Sequence, residues 1–128
     1  MSTLKIAATE RSPHVDFDFA ANRFHLRGES YPEDVPAFYG PVLERLTNHL
    51  KGLEGGRVEF DFELIYFNSS SAKVIMRLFD LLDQTAENGV KVVVNWLYDP
   101  EDDNMEELGG EFGEELRNAE FHLKPTAT

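Results

Sequence analysis

Ser70-Ser71-Ala72-Lys73 sets a hydroxyl and an amine one helical turn apart, the spacing at which a lysine can draw the proton from a serine nucleophile. The pattern S-x-x-K opens the active sites of penicillin-binding proteins and β-lactamases. Their S-D-N and K-T-G partners are absent here, and 128 residues are too few for that two-part fold. A second chemistry keeps the hydroxyls and drops the hydrolysis. Asn68-Ser69-Ser70-Ser71 lies where a strand pattern gives way to a helix pattern, so three hydroxyls gather at a helix N-terminus. One Ser is enough to cap that helix, for roughly 1 kcal/mol. The others are then free to face solvent at the C-terminal edge of a sheet, where α/β proteins carry their functional surfaces.

The remaining candidates for chemistry fail on spacing. A calcium loop started at Asp99 has oxygen ligands in Asp99, Glu101 and Asp103, but Asn104 stands where the turn needs Gly and Gly110 where the closing carboxylate belongs. A start at Asp102 fails in the same way at Glu107 and Gly113. His14, His25, His49 and His122 show no paired spacing for zinc. Gly109-Gly110-Glu111-Phe112-Gly113 follows acid rather than a strand and is not a phosphate-binding loop. Asn68-Ser69-Ser70 matches a glycosylation sequon, which carries no weight without a secretory signal. No metal or cofactor is expected.

Twelve Lys and Arg against 24 Asp and Glu leave a formal charge of −12, which repels phosphate backbones and anionic lipid. Nucleic-acid binding and membrane insertion are therefore not expected, and neutral or basic partners are favoured. The segment from Met1 to Ile6 lacks the apolar core of a signal peptide, and no apolar run approaches the roughly 20 residues of a membrane span, so a cytoplasmic protein is expected. Without cysteine there is no disulfide or thiolate chemistry. Ten Phe, four Tyr and one Trp supply core bulk for one domain over residues 1–128, with the acidic segment 99–120 included.

The elements that position the hydroxyls follow from periodicity. Residues 4–8 read as an edge strand and 15–27 as a hairpin, with Gly28 to Pro32 breaking the pattern. A helix over 34–50 starts at the N-cap Asp34, and Gly40-Pro41 should kink or restart it. Strand 57–67 alternates strictly and then runs apolar at Ile65-Tyr66-Phe67, as if entering a covered interior. Helix 71–88 closes at Asn88-Gly89, and strand 90–98 is rich in β-branched residues, as in a strand buried on both faces. Strand, helix and strand form a parallel, right-handed βαβ unit. An acidic helix over 105–117 comes last, followed by Phe121-His122-Leu123. The fold class is α/β, a small mixed sheet with helices packed on it.

Four stretches carry a resemblance. Ser30-Tyr31-Pro32-Glu33, Tyr66-Phe67-Asn68-Ser69-Ser70-Ser71, Asn95-Trp96-Leu97-Tyr98-Asp99 and Glu107-Leu108-Gly109-Gly110-Glu111-Phe112 resemble, in order and spacing, the SiaC family of bacterial biofilm-regulation phosphoproteins. The resemblance implies a STAS-like fold and a non-enzymatic switch. In such systems a GHKL-type kinase adds a phosphate and a PP2C-type phosphatase removes it. The unphosphorylated form binds and activates a diguanylate cyclase, raising cyclic-di-GMP. The family's acceptor is the hydroxyl after Asn in a Tyr-Leu-Asn-Thr-Ser-Ser-like motif, which places it at Ser69. Here Ser replaces Thr and Phe67 replaces Leu. Ser70 is the alternative acceptor, because STAS antagonists carry a similar Asp-Ser-Ser motif, and antagonism of an anti-sigma factor is the alternative output. The partner surface implied is Asn68, Ser69, Ser70, Ser71 and Lys73, joined by Tyr31, Pro32, Glu33 and Tyr98, with Trp96 assigned to the core.

Overall fold

A computed structural model describes residues 2–126. In chain order its elements are β1 (Thr3–Ile6), β2 (His14–Asp18), β3 (Arg23–Ser30), α1 (Val35–Lys51), β4 (Arg57–Phe67), α2 (Ser69–Glu87), β5 (Lys91–Tyr98), α3 (Asp103–Glu114) and β6 (Glu120–Pro125). The strands form one sheet in the order β1-β2-β3-β4-β5-β6. The β1–β2 and β2–β3 ladders are antiparallel, and the three that follow are parallel. The mixed α/β sheet and the parallel β4–α2–β5 unit are as the periodicity predicts.

Alternation along the strands decides which face the helices cover. Val15 and Phe17 of β2, Phe24 and Leu26 of β3, and Val58, Phe60 and Phe62 of β4 are all buried. They join one core with Leu46 of α1, Ile75, Leu78 and Phe79 of α2, and Met105 of α3. Aromatic rings interlock within it, with Phe60 stacked on Phe62 at 4.3 Å between centroids and Phe17 edge-on to Phe24 at 5.2 Å. The other face of the sheet carries polar positions in register: Lys5, Asp16, His25, Asp61, Asn95 and His122. Asn95 is only 1% exposed, which a lone amide would not tolerate. Its Nδ2 donates to Glu59 and Asp61 at 2.9 and 2.8 Å, so β5 is buried on both faces as expected.

Three expectations need correction. First, α1 does not restart at Gly40-Pro41 but runs through as one helix, with both residues on its exposed side and Tyr39, Val42, Leu43 and Leu46 buried on the other. Second, β3 does not end at Gly28. It continues to Ser30, with Gly28 at φ +115°, a conformation that favours glycine. Third, the first two residues of the apolar run at the end of β4 leave the core instead of entering it. Ile65 is 67% exposed and Tyr66 49%. The cause is a β-bulge: Gly28 pairs with Leu64 and Glu29 with Tyr66, leaving Ile65 with no residue opposite. The extra residue breaks the alternation and turns Ile65 and Tyr66 outward, while Phe67 packs back against Trp96 and Phe112 at 6.3 and 6.0 Å between centroids.

The sixth strand has little local signal, since Phe121 and Leu123 alternate with polar residues over too few positions. A contact from α2 settles it. Asp83 Oδ1 accepts the backbone N–H groups of Arg117, Asn118 and Ala119 at 3.0, 2.8 and 3.0 Å, fixing the turn that launches β6. Partial burial tends to raise the Asp83 pKa, but the three N–H donors outweigh it and hold the carboxyl below its ordinary 3.8. A depressed carboxyl stabilises the fold above its unfolded-state pKa and loses that contribution as pH falls through the lower folded value. Asp83→Ala is expected to cost roughly 1–2 kcal/mol in urea unfolding at pH 7, and the difference from the parent should shrink below about pH 4.

Candidate functional site

The three serines at the start of α2 have different fates. Ser69 and Ser70 are exposed, whereas Ser71 is fully buried. None of them is the cap. That role belongs to Asn68, whose side chain accepts the Ser71 N–H at 2.9 Å, while the Asn68 carbonyl accepts Ala72 N–H. The helix therefore starts two residues earlier than periodicity predicts. Ser69 and Ser70 are left with free hydroxyls and with N–H groups that make no main-chain bond at the positive end of the helix dipole. With no intrahelical task for either hydroxyl, the first turn is free for chemistry.

Ser71 is the correction among the expected partner-contacting residues. Its Oγ accepts a 2.9 Å hydrogen bond from Ser30 Oγ, and Ser30 in turn meets the Tyr39 hydroxyl at 2.5 Å. All three side chains are buried, and burial pushes the Tyr39 phenol up to about 12, so it stays protonated as a donor. This chain of hydroxyls ties the end of β3 and the middle of α1 to the first turn of α2. The Ser30 carbonyl adds a bond from Asn68 N–H at 3.1 Å. Ser71 therefore positions the turn from within and cannot touch a partner. Tyr39→Phe should leave the fold intact, cost roughly 1–2 kcal/mol, and speed amide hydrogen exchange at Ser71 and Ala72.

Around the two exposed hydroxyls the structure gathers most of the other candidates. Pro32, Glu33, Asp34, Asn68 and Ser70 line a shallow groove of about 560 Å³, and Ser69 stands outside it. Lys73 is exposed one turn along the helix. Tyr31 is half-buried and packs edge-on against Tyr66 at 5.6 Å. Trp96 is fully buried, with its indole N–H donating to the Met105 carbonyl at 3.0 Å. Tyr98 is not brought to this groove. It ends β5, donates its hydroxyl to Glu106 at 3.3 Å, and lines a different cleft. Ser30, Tyr39 and Tyr66 are the site residues that sequence reasoning missed. Ser30 and Tyr66 were visible in the motifs without a role. Nothing local marks Tyr39.

Among the described residues no group of three His, Asp or Glu side chains could hold a metal ion, and no helix is long and apolar enough to cross a membrane. The chemistry on display is a pair of exposed hydroxyls at a rigidly held helix N-terminus, on the C-terminal edge of a mixed α/β sheet. That defines the class as a small α/β module with a modifiable hydroxyl surface. The chain belongs to the SiaC family of regulatory phosphoproteins, whose family model matches residues 6–126. An uncharacterised protein of Pseudomonas aeruginosa (strain UCBPP-PA14) is 35% identical over 116 residues, 90% of each chain. Apo-SiaC from P. aeruginosa is similar in structure at a TM-score of 0.88 and 32% identity, covering 97% of this chain and 99% of that one. SiaC in a crystal structure with the diguanylate cyclase SiaD, which it activates, is similar at a TM-score of 0.90 and 31% identity, covering 96% and 99%.

Proposed function

We propose that this chain is a phosphorylation-controlled activator of a diguanylate cyclase, with Ser69 as the phosphate acceptor and no catalysis of its own. The observation that carries the reading is the first turn of α2, where Asn68 does the capping, Ser71 is sealed, and Ser69 stands exposed outside the groove. Ser70 is the weaker acceptor on electrostatic grounds. It lines the groove with Glu33 and Asp34, so a phosphate there would face two carboxylates. A phosphate on Ser69 can take the free N–H groups of the first turn, worth roughly 0.3–1 kcal/mol, with Lys73 one turn away to screen it. A GHKL-type kinase would add the phosphate and a PP2C-type phosphatase would remove it.

In this reading the cyclase packs over Asn68, Ser69, Ser70 and Lys73 of the unphosphorylated chain, with Tyr31, Pro32 and Glu33 completing the contact. The test is to add the purified unphosphorylated chain to the cyclase from its own genome and measure cyclic-di-GMP formed from GTP. The expected result is saturable stimulation, lost when Ser69 carries phosphate. Stimulation that is absent, or indifferent to phosphorylation, would count against the proposal.

A further inference from the structure

A second feature of β4 lies on its opposite side from the serine groove. Pairing between β4 and β5 stops at Phe62 and Trp96, although β4 runs on to Phe67 beside β3 and β5 runs on to Tyr98 beside β6. The two parallel strands therefore part at their C-terminal ends, and the cleft between them has a volume of about 600 Å³. The apolar surface it offers comes from Ile65 on one side and Leu97 and Tyr98 on the other, with the buried Leu64 beneath. Ile65 is the most exposed large apolar side chain described, at 67%, and the bulge is what exposes it. The mouth is acidic: Glu63, Asp99, Glu101, Asp102 and Asp103 line it, and no Lys, Arg or His does. These carboxylates do not converge on a cation site.

We propose that this cleft docks an extended segment of a protein partner in which lysine or arginine alternates with apolar side chains. Three features select that occupant. Glu63 is engaged by His25 at 3.0 Å, but Asp99, Glu101, Asp102 and Asp103 have no basic side chain among the lining residues, and a negative mouth favours cations in a chain already at −12. Long basic side chains lay apolar stems along walls such as Ile65 and Leu97 while their heads reach the carboxylates. Beyond Phe62, β4 has no strand on the β5 side, and an open strand edge is the surface an extended peptide uses. The proposal does not depend on Ser69, which lies outside this cleft.

The test is an amide NMR titration of the full chain, labelled with nitrogen-15, with an alternating leucine–arginine octapeptide and a leucine–glutamate octapeptide as control. The leucine–arginine peptide is expected to give saturable shifts centred on Ile65, Leu97, Tyr98 and Glu101. Ile65→Ser and the double variant Glu101→Lys with Asp103→Lys, each checked for a dispersed spectrum, should each weaken it about tenfold, and Ser69→Ala should not change it. Equal shifts with the glutamate peptide, shifts centred on Asp16, Asp18 and Asp61 of the open sheet face, or no saturable shift at all would overturn the proposal. So would variants that leave the affinity unchanged.

Discussion

Phosphate on Ser69 is expected to weaken binding to the cyclase by about a thousandfold or more, with the chain remaining folded. The added group carries roughly −1.5 to −2 charge and three acceptor oxygens. Its contact with the helix N-terminus is too weak to reverse occupancy, since a change from 1:99 to 99:1 needs about 5.5 kcal/mol. Burying a dianion under a partner costs several kcal/mol, and each 1.4 kcal/mol is a factor of about ten in affinity. On the proposed reading the phosphate would therefore act by blocking the surface, not by refolding it. The hydroxyl chain of Ser71, Ser30 and Tyr39 supports that view, because it holds the first turn of α2 from beneath. Ser69→Ala should bind and activate like the unphosphorylated parent and ignore the kinase. Ser69→Asp, with a single charge and a shorter reach, should weaken binding only in part. Titration calorimetry with the parent, phosphorylated and variant chains checks all three.

The second large effect is on stability and concerns two adjacent glycines in α3. A Cβ added at Gly109 would stand 2.3 Å from Trp96 Cδ1 and 2.4 Å from its Nε1, well inside contact distance. Trp96 cannot give way, being fully buried, tied to Met105 and flanked by Phe62 and Phe112 at 5.7 and 5.5 Å. Gly109→Ala should therefore cost about 1–3 kcal/mol or more, lowering the midpoint of thermal unfolding by roughly 5–15 °C. Gly110, one residue on, has nothing within 4 Å of an added Cβ. Gly110→Ala should raise stability by up to about 1 kcal/mol, because alanine loses less freedom in a helix. Parallel thermal melts read the difference. Equal effects of the two substitutions would show that α3 does not approach Trp96 so closely.

These glycines show what was legible beforehand and what was not. Gly109-Gly110 stands out as a motif, and its place after acid rather than a strand rules out a phosphate loop, but its reason lies on β5 and has no local signal. The long periodic elements were readable because each buries one continuous face: strand 57–67, helix 34–50 and helix 71–88 differ from the structure by no more than two residues at any end. β6 was not readable, since a contact from Asp83 launches it. Ile65-Tyr66-Phe67 looked like a strand entering the interior, and only pairing with β3 shows that Ile65 is surplus and turned outward. The same holds for the serines. Three hydroxyls at a helix start were plain, but which of them is sealed depends on Ser30 and Tyr39, brought in by other elements.

The central claim is that Ser69 is the switch. The most direct measurement is peptide-mapped mass spectrometry of the chain after incubation with ATP and the GHKL-type kinase of its own genome. One phosphate per chain on Ser69, with none incorporated into Ser69→Ala, is the predicted result. Phosphate on Ser70, or none from a kinase shown to be active, would contradict it.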